Sequence, residues 1–187
     1  PVQIVIIGSG TVAEYAARSG VSLGASVKVF GNSISRLRRI QNDLSLSVST
    51  SIMQPKVLEK FIKRADVVIG ALRSKFGRTP CVISEEMVKK MKPRSVIVDV
   101  SIDQGGCFET SKLTSHESPT FIKHDVVHYC VPNIASRSSK TASFSLSNIL
   151  APLLLKVGEG GGVKGILLRN QNIRFGVYVY NGCLLYT

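Results

Sequence analysis

Tryptophan is absent from this chain, aromatic residues make up only 6% of it, and acids are scarce, with 12 Asp and Glu against 24 Lys and Arg. Each shortage narrows the function. Without Trp, and without aromatics interleaved among the basic residues, the bases of a nucleic acid have no stacking platform. The formal net charge of +12 would suit a polyanion. The basic clusters, however, are Arg36/Arg38/Arg39, Lys56 to Arg64, Arg73/Lys75/Arg78 and Lys89 to Arg94. They fall on helical patterns that alternate with strands, so they read as solvated outer faces. No nucleic-acid partner is expected.

Long apolar runs are also lacking. The richest, Ile149 to Val157, is short and holds Pro152 and Lys156, whereas a bilayer span needs roughly 20 residues. Neither a membrane partner nor a secretory leader is expected. The cysteines are Cys81, Cys107, Cys130 and Cys183, with no CxxC pair. His128 and Cys130 would share a face of an extended segment, but no third ligand lies near, so no metal site is expected. Reduced thiols in a cytoplasmic protein fit better than a disulfide framework. P-loop and nucleophile-elbow motifs are missing, and no Ser or Cys has a credible base partner. Cofactor-borne chemistry is the class that remains. The chain starts without Met, inside or beside a strand, and reads as a piece of a longer protein.

What is present suits a folded domain: 187 residues, 44% of them hydrophobic, enough to bury a core. Strand and helix signals alternate. Strands are predicted at Gln3–Ile7, Val27–Phe30, Leu46–Ser49 (weak), Val67–Ile69, Val96–Val100 and Val126–Val131. Helices are predicted over Val12–Leu23, Ser33 to Leu44 with Ile34, Leu37 and Ile40 on one face, Pro55 to Arg64, Ser84 to Met91 with Pro93 as the stop, and Lys140 to Val157. Asp103 to Pro119 reads as irregular. The order predicts an α/β fold, a doubly wound parallel sheet with helices on both faces. After Val157 come Gly158, Gly160, Gly161 and Gly162, then a short helix and a strand-like Gly176–Asn181. Residues 1–139 are expected to form one domain, and 140–187 a connecting helix with part of a second.

The apolar β-branched run Val2–Ile7 leads directly into Gly8-x-Gly10-x-x-Ala13 and a helical pattern. That is the order of a dinucleotide-binding βα turn. Gly8 permits the turn, Gly10 lets pyrophosphate approach the backbone, and a small residue at 13 lets helix and strand pack closely. Thr11 and Val12 open the helix, whose free N–H groups suit phosphate. In such a fold Gly8–Ala13, Gly70–Arg73 and Ser101–Gly106 should meet on one rim, beyond the carboxyl ends of their strands. Asp103, directly after a strand and before two glycines, could accept from ribose, orient an imidazole or steady an ammonium. Asp99, inside the strand, reads as structural. Asn133 ends an apolar strand on the same rim, where its amide could hold a carboxamide or simply make a turn. His116, His124 and His128 could each serve as acid or base, or be ordinary polar groups.

Asp99-Val-Ser-Ile-Asp-Gln-Gly-Gly-Cys-Phe-Glu-Thr-Ser111, His116-Glu-x-Pro119-Thr120 and Val126-Val-His-Tyr-Cys-Val-Pro-Asn133 closely resemble alanine dehydrogenases. Ala65–Gly70, Met91–Pro93 and the late Gly-Val-Tyr-Val-Tyr extend the likeness over most of the chain. The resemblance implies a Rossmann-type sheet and the NAD-binding part of an enzyme that converts L-alanine, NAD and water to pyruvate, ammonia and NADH, reversibly. It implies a catalytic Asp103 and cofactor contacts from Gly8, Gly10, Thr11, Val12, Ala13, Arg36, Leu72, Arg73, Val100, Ser101, Ile102, Asp103, Lys112, Val131, Asn133 and Ile134. It also implies a homo-oligomer. The family's catalytic histidine, and the arginine and lysine that hold substrate, lie in a preceding domain. This chain alone is therefore expected to bind nucleotide without turnover. Where the family has an acid for the adenosine ribose, at the end of the second strand, this chain has Gly31. NADP is then better tolerated. A transhydrogenase-like NAD(H)-binding subunit and a non-catalytic NAD(P)-binding module remain as alternatives.

Overall fold

The structure, a computed structural model, describes residues 1–44, 48–74 and 77–184. It falls into two compact units, Pro1–Ile134 and the segment from Ala135 onward. The first is built on seven strands: β1 (Gln3–Ile7), β2 (Ser26–Gly31), β3 (Val48–Ile52), β4 (Val67–Gly70), β5 (Val96–Asp99), β6 (Thr120–Lys123) and β7 (Val126–Tyr129). Their order is β3-β2-β1-β4-β5-β7-β6. All neighbours run parallel except β6 and β7. This is a Rossmann-like α/β sheet, and the strand order reverses direction between β1 and β4. A crevice opens at such a switch point, because the two connections there leave toward opposite faces.

The sheet is covered on both faces, which is why its strands read as near-continuous apolar runs. In β1 the alternation is visible all the same. Val5 and Ile7 join Phe30, Leu58, Ile62, Val68 and Ile97 in one core, while Ile6 joins Val27, Val29, Leu37, Ile40 and Val48 in the other. Helices α1 (Thr11–Ser22) and α2 (Ile34–Asp43) serve the second core; α3 (Pro55–Ile62) and α4 (Glu85–Lys89) serve the first. Against the sheet α1 turns Ala13, Ala17 and Gly20. A side chain at Gly20 would start 3.0 Å from the Ile4 side chain, so small residues set this close approach. The Ser33 hydroxyl caps α2 by accepting the Arg36 N–H, and the Ser84 hydroxyl caps α4 by accepting that of Met87.

Several expectations shift in detail. Ile34 does not share the buried stripe of Leu37 and Ile40; it is 53% exposed. Helix α4 ends at Lys89, so Pro93 is not its stop. Val100 leaves β5 for a 3-10 turn over Val100–Gln104. Part of the expected Leu46–Ser49 strand lies outside the described residues, and the observed strand begins at Val48. The edge strand β6 was not foreseen. It pairs back on β7 through His124 and Asp125, both at positive φ (54° and 57°), the backbone sense that two-residue hairpin loops require.

A 3-10 turn, Ile134–Ser138, begins at the end of the first unit and leads into α5 (Ser139–Glu159) of the second. Helices α6 (Gly162–Arg169) and α7 (Gln171–Arg174) follow, then a hairpin of β8 (Val179–Tyr180) and β9 (Cys183–Leu184) around Asn181-Gly182. Among the described residues one helical stretch, Ile134–Glu159, is long and apolar enough to cross a membrane, with a mean hydropathy of 1.2. The short Ile149–Val157 run did not convey that length. Pro152 inside it removes the N–H that would bond the Asn148 carbonyl.

His128 of β7 is fully buried and stacks on Phe121 of β6, ring centroids 4.8 Å apart. Its Nδ1 lies 3.0 Å from the Val126 carbonyl and must donate there. In the neutral ring Nε2 therefore accepts from the Thr110 hydroxyl at 2.8 Å. Burial holds the His128 pKa below its ordinary value. A depressed histidine pKa adds stability above the unfolded value, about 6.5, and that stability is lost as pH falls through the folded value. Urea midpoints should thus drop between pH 7.5 and pH 5, and in H128Q the protein should be weaker at pH 7.5 with a shallower pH slope.

Candidate functional site

A cavity of about 1110 Å³ opens at the switch point of the first unit. Gly10, Thr11 and Val12 line it from the turn after β1, Ala71 to Ser74 from the segment after β4, and Val100, Ser101, Asp103 and Gln104 from the turn after β5. Arg36 and Arg39 of α2 complete it. The three strand ends singled out in the sequence thus converge on one cleft.

The convergence depends on bare backbone. Gly8 sits at φ +132° with its Cα pressed on the next crossover, where an added Cβ would stand 2.2 Å from the Ala71 carbonyl oxygen. Its N–H donates to Phe30 O at 2.8 Å, and the Ala71 N–H donates to Ile7 O at 2.7 Å. Gly8 therefore shapes the turn and does not line the cavity. Gly10 is the residue before α1, and no side chain caps that helix. A Cβ there would meet nothing within 4 Å, because it would point into the cavity. The helix's first internal bond is Glu14 N–H to Gly10 O, so the N–H groups of the first turn are available to an anion. That arrangement fits a pyrophosphate.

The turn after β5 is held by Asp99, which is wholly buried. Its carboxylate accepts the Ser101 N–H (3.0 Å), the Cys107 N–H (3.0 Å) and the Ser111 hydroxyl (2.6 Å). The Cys107 thiol lies 3.7 Å from the same group. Burial and that carboxylate push the thiol far above the usual range, so it stays protonated. Gly70 makes room: a Cβ there would lie 2.5 Å from the Cys107 sulfur. Ser101 in turn accepts the Leu72 N–H at 2.9 Å, and Gln104 Oε1 accepts the Ser74 N–H at 3.2 Å. The turns after β4 and β5 are thereby tied into one wall. Asp103 stands exposed on that wall, and its Oδ1 accepts the Asn133 N–H at 2.9 Å. Asn133, at φ 52°, meets Asp103 through its backbone.

Of the expected contact residues, Gly10, Thr11, Val12, Arg36, Leu72, Arg73, Val100, Ser101 and Asp103 line the cavity. Ala13, Ile102 and Val131 are buried and pack in the interior. Lys112, Asn133 and Ile134 are not among the lining residues, although Asn133 adjoins Asp103. None of the three histidines lines it either: His128 is a core residue and His124 pairs with Glu85 at 2.6 Å. Ala71 and Gln104 lie within the rim segments of the sequence reading without being named as contacts, whereas Arg39 and Ser74 lie outside them. Arg39 lies one helical step beyond Arg36, a spacing that could have revealed it. Gln104 and Ser74 are 30 residues apart, and no local pattern links them.

A family model described as alanine dehydrogenase/PNT, C-terminal domain, matches residues 1–187. The chain is 40% identical over 161 residues to the alanine dehydrogenase of Mycolicibacterium smegmatis, covering 86% of this chain and 43% of that protein. It is 38% identical over 186 residues to the alanine dehydrogenase of Halomonas elongata, covering 100% of this chain and 50% of that protein. A solved L-alanine dehydrogenase superposes with a TM-score of 0.92 at 34% identity, covering 100% of this chain and 51% of that one. The chain thus spans about half the length of the curated relatives it matches.

Exchanging one Asp99 oxygen for an amide sets an NH2 group against N–H and O–H donors. Leaving a buried polar group mismatched costs about 1–3 kcal/mol. Asp99→Asn should lower unfolding free energy by that amount in urea titrations. Amide exchange at Ser101 and Cys107 should speed up beyond any change in β1.

Proposed function

The chain belongs to the alanine dehydrogenase/PNT C-terminal domain family, and from that membership we propose that it binds NAD(H) in the switch-point cleft and serves an NAD-dependent alanine dehydrogenase. Residues 1–139 are the nucleotide-binding domain; 140–187 are the connecting helix and part of the neighbouring substrate domain. The observation that carries the reading is the cleft itself, where the open face of Gly10 and the carboxylate of Asp103 share one cavity. The amides of Thr11 and Val12 hold the pyrophosphate, while Leu72, Arg73, Val100 and Ser101 form the wall along the nucleotide. When bound, the nicotinamide supplies the hydride acceptor for oxidation at the alanine Cα, giving pyruvate and ammonia.

Asp103 is the catalytic group that this chain contributes. The Asn133 N–H fixes one carboxylate oxygen at 2.9 Å, which leaves the other free to accept from ribose, an imidazole or the substrate ammonium. Groups that hold the alanine carboxylate come from outside this chain. A homo-oligomer and a cytoplasmic setting complete the proposal; the latter suits four free cysteines.

Calorimetric titration of this chain with NADH should show saturable binding, with a free energy of roughly −4 to −8 kcal/mol for dissociation constants from millimolar to micromolar. Absence of heat at millimolar nucleotide would refute the cleft assignment. No NADH should form from alanine and NAD with the chain alone; measurable turnover would show that the substrate-holding groups are here after all.

A further inference from the structure

The adenosine end of the cleft differs from its pyrophosphate end. In a Rossmann fold the adenosine ribose lies at the end of β2, about 20 residues past the glycine turn, where an acid takes the 2′-hydroxyl. Gly31 occupies that place here and is the last residue of β2. Its bare Cα is not an accident of open space. A Cβ at residue 31 would lie 2.8 Å from both Cβ and Oγ of Ser9 and 3.2 Å from Leu37 Cδ2. The Ser9 side chain, from the turn after β1, fills the volume that an acidic side chain would need. The carboxylate is thus missing, and a Cβ at residue 31 would force Ser9 to shift.

The charges around the cleft follow the same sense. Arg36, Arg39 and Arg73 line it, and Asp103 is the one carboxylate among the described lining residues. Asp103 belongs to the wall after β5, not to the end of β2. Arg39 is 3.1 Å from Glu14, whereas Arg36 meets no carboxylate among the described residues. Arg36 rises from the first turn of α2, beside the Ser33 and Ser35 hydroxyls, which lie 3.0 Å apart. A guanidinium on the cavity lining, with no carboxylate paired to it among the described residues, suits a phosphate monoester.

We propose that the adenosine end of this cleft recognises a 2′-phosphate, so that the chain binds NADP(H) in preference to NAD(H). The inference rests on the dinucleotide reading above and replaces NAD(H) there with NADP(H) as the preferred nucleotide. The 2′-phosphate sits toward the end of β2, where Arg36 grips it.

Titrating the chain with NADPH and NADH in low salt tests this directly. NADPH should bind about tenfold more tightly or better, since each charge-assisted hydrogen bond contributes on the order of a tenfold factor. The gap should narrow as salt screens the phosphate. In competition against NADPH, 2′,5′-ADP should displace it at lower concentration than 5′-AMP. R36A should bring the NADPH to NADH ratio toward one. Gly31→Asp alone should unfold at lower temperature, because Ser9 stands in its way. The double variant Ser9→Gly/Gly31→Asp relieves that contact, should recover the melting temperature and should bind NADH more tightly than NADPH. Equal or tighter NADH binding by the unmodified chain, or an unchanged ratio in R36A, would overturn the inference and leave the dinucleotide reading standing. If neither dinucleotide bound, both would fall.

Discussion

The cleft depends on one buried carboxylate. Asp99 ends β5 with no exposure to solvent, and three donors from the next twelve residues converge on it. A charge in so apolar a place is tolerable only because those donors replace its water. In accepting them it folds the chain after β5 into a tight turn and brings Cys107 and Ser111 back to the end of that strand. Ser101, fixed by that turn, takes the Leu72 N–H and joins the segment after β4. Positions that face the cavity, Asp103 among them, are held by a network whose centre never touches it. Gly70 belongs to the same arrangement, since any side chain there would collide with Cys107 and Phe108.

Sheet burial supplies the second constraint. With a core on each face, β1 must be apolar at every inward step, and the two crossovers at the switch point must leave in opposite directions. Gly8 marks how closely those crossovers approach. Its positive φ and its contact with the Ala71 backbone allow only glycine. The cavity beyond is the space left where the two connections part.

Much of this was legible in the residues. Val2–Ile7 followed by Gly8, Gly10 and Ala13 announced the turn, and Ser33 and Ser84 announced two helix caps that the structure bears out. The three strand ends do meet on one rim. Less legible were features made by contacts between distant residues. Asp99 could be read as structural, but its three donors could not be listed from spacing. Gln104 and Ser74 meet only because β4 and β5 lie side by side. Thr120–Lys123 escaped notice because an exposed edge strand alternates weakly, and its turn, His124-Asp125, lacks the glycine that signals such loops. His128 looked like a possible acid or base; its surroundings make it a neutral core residue.

The contact between Ser9 and Gly31 also bears on how such a chain can change over time. Two residues 22 positions apart share one small volume, so neither drifts freely while the other is fixed. A lineage that acquires an acid at 31 before shrinking residue 9 passes through a crowded, less stable intermediate. One that loses the serine first crosses almost level ground. The order of the two steps, and not only their sum, decides which descendants are reachable, and the pair should vary together among near relatives.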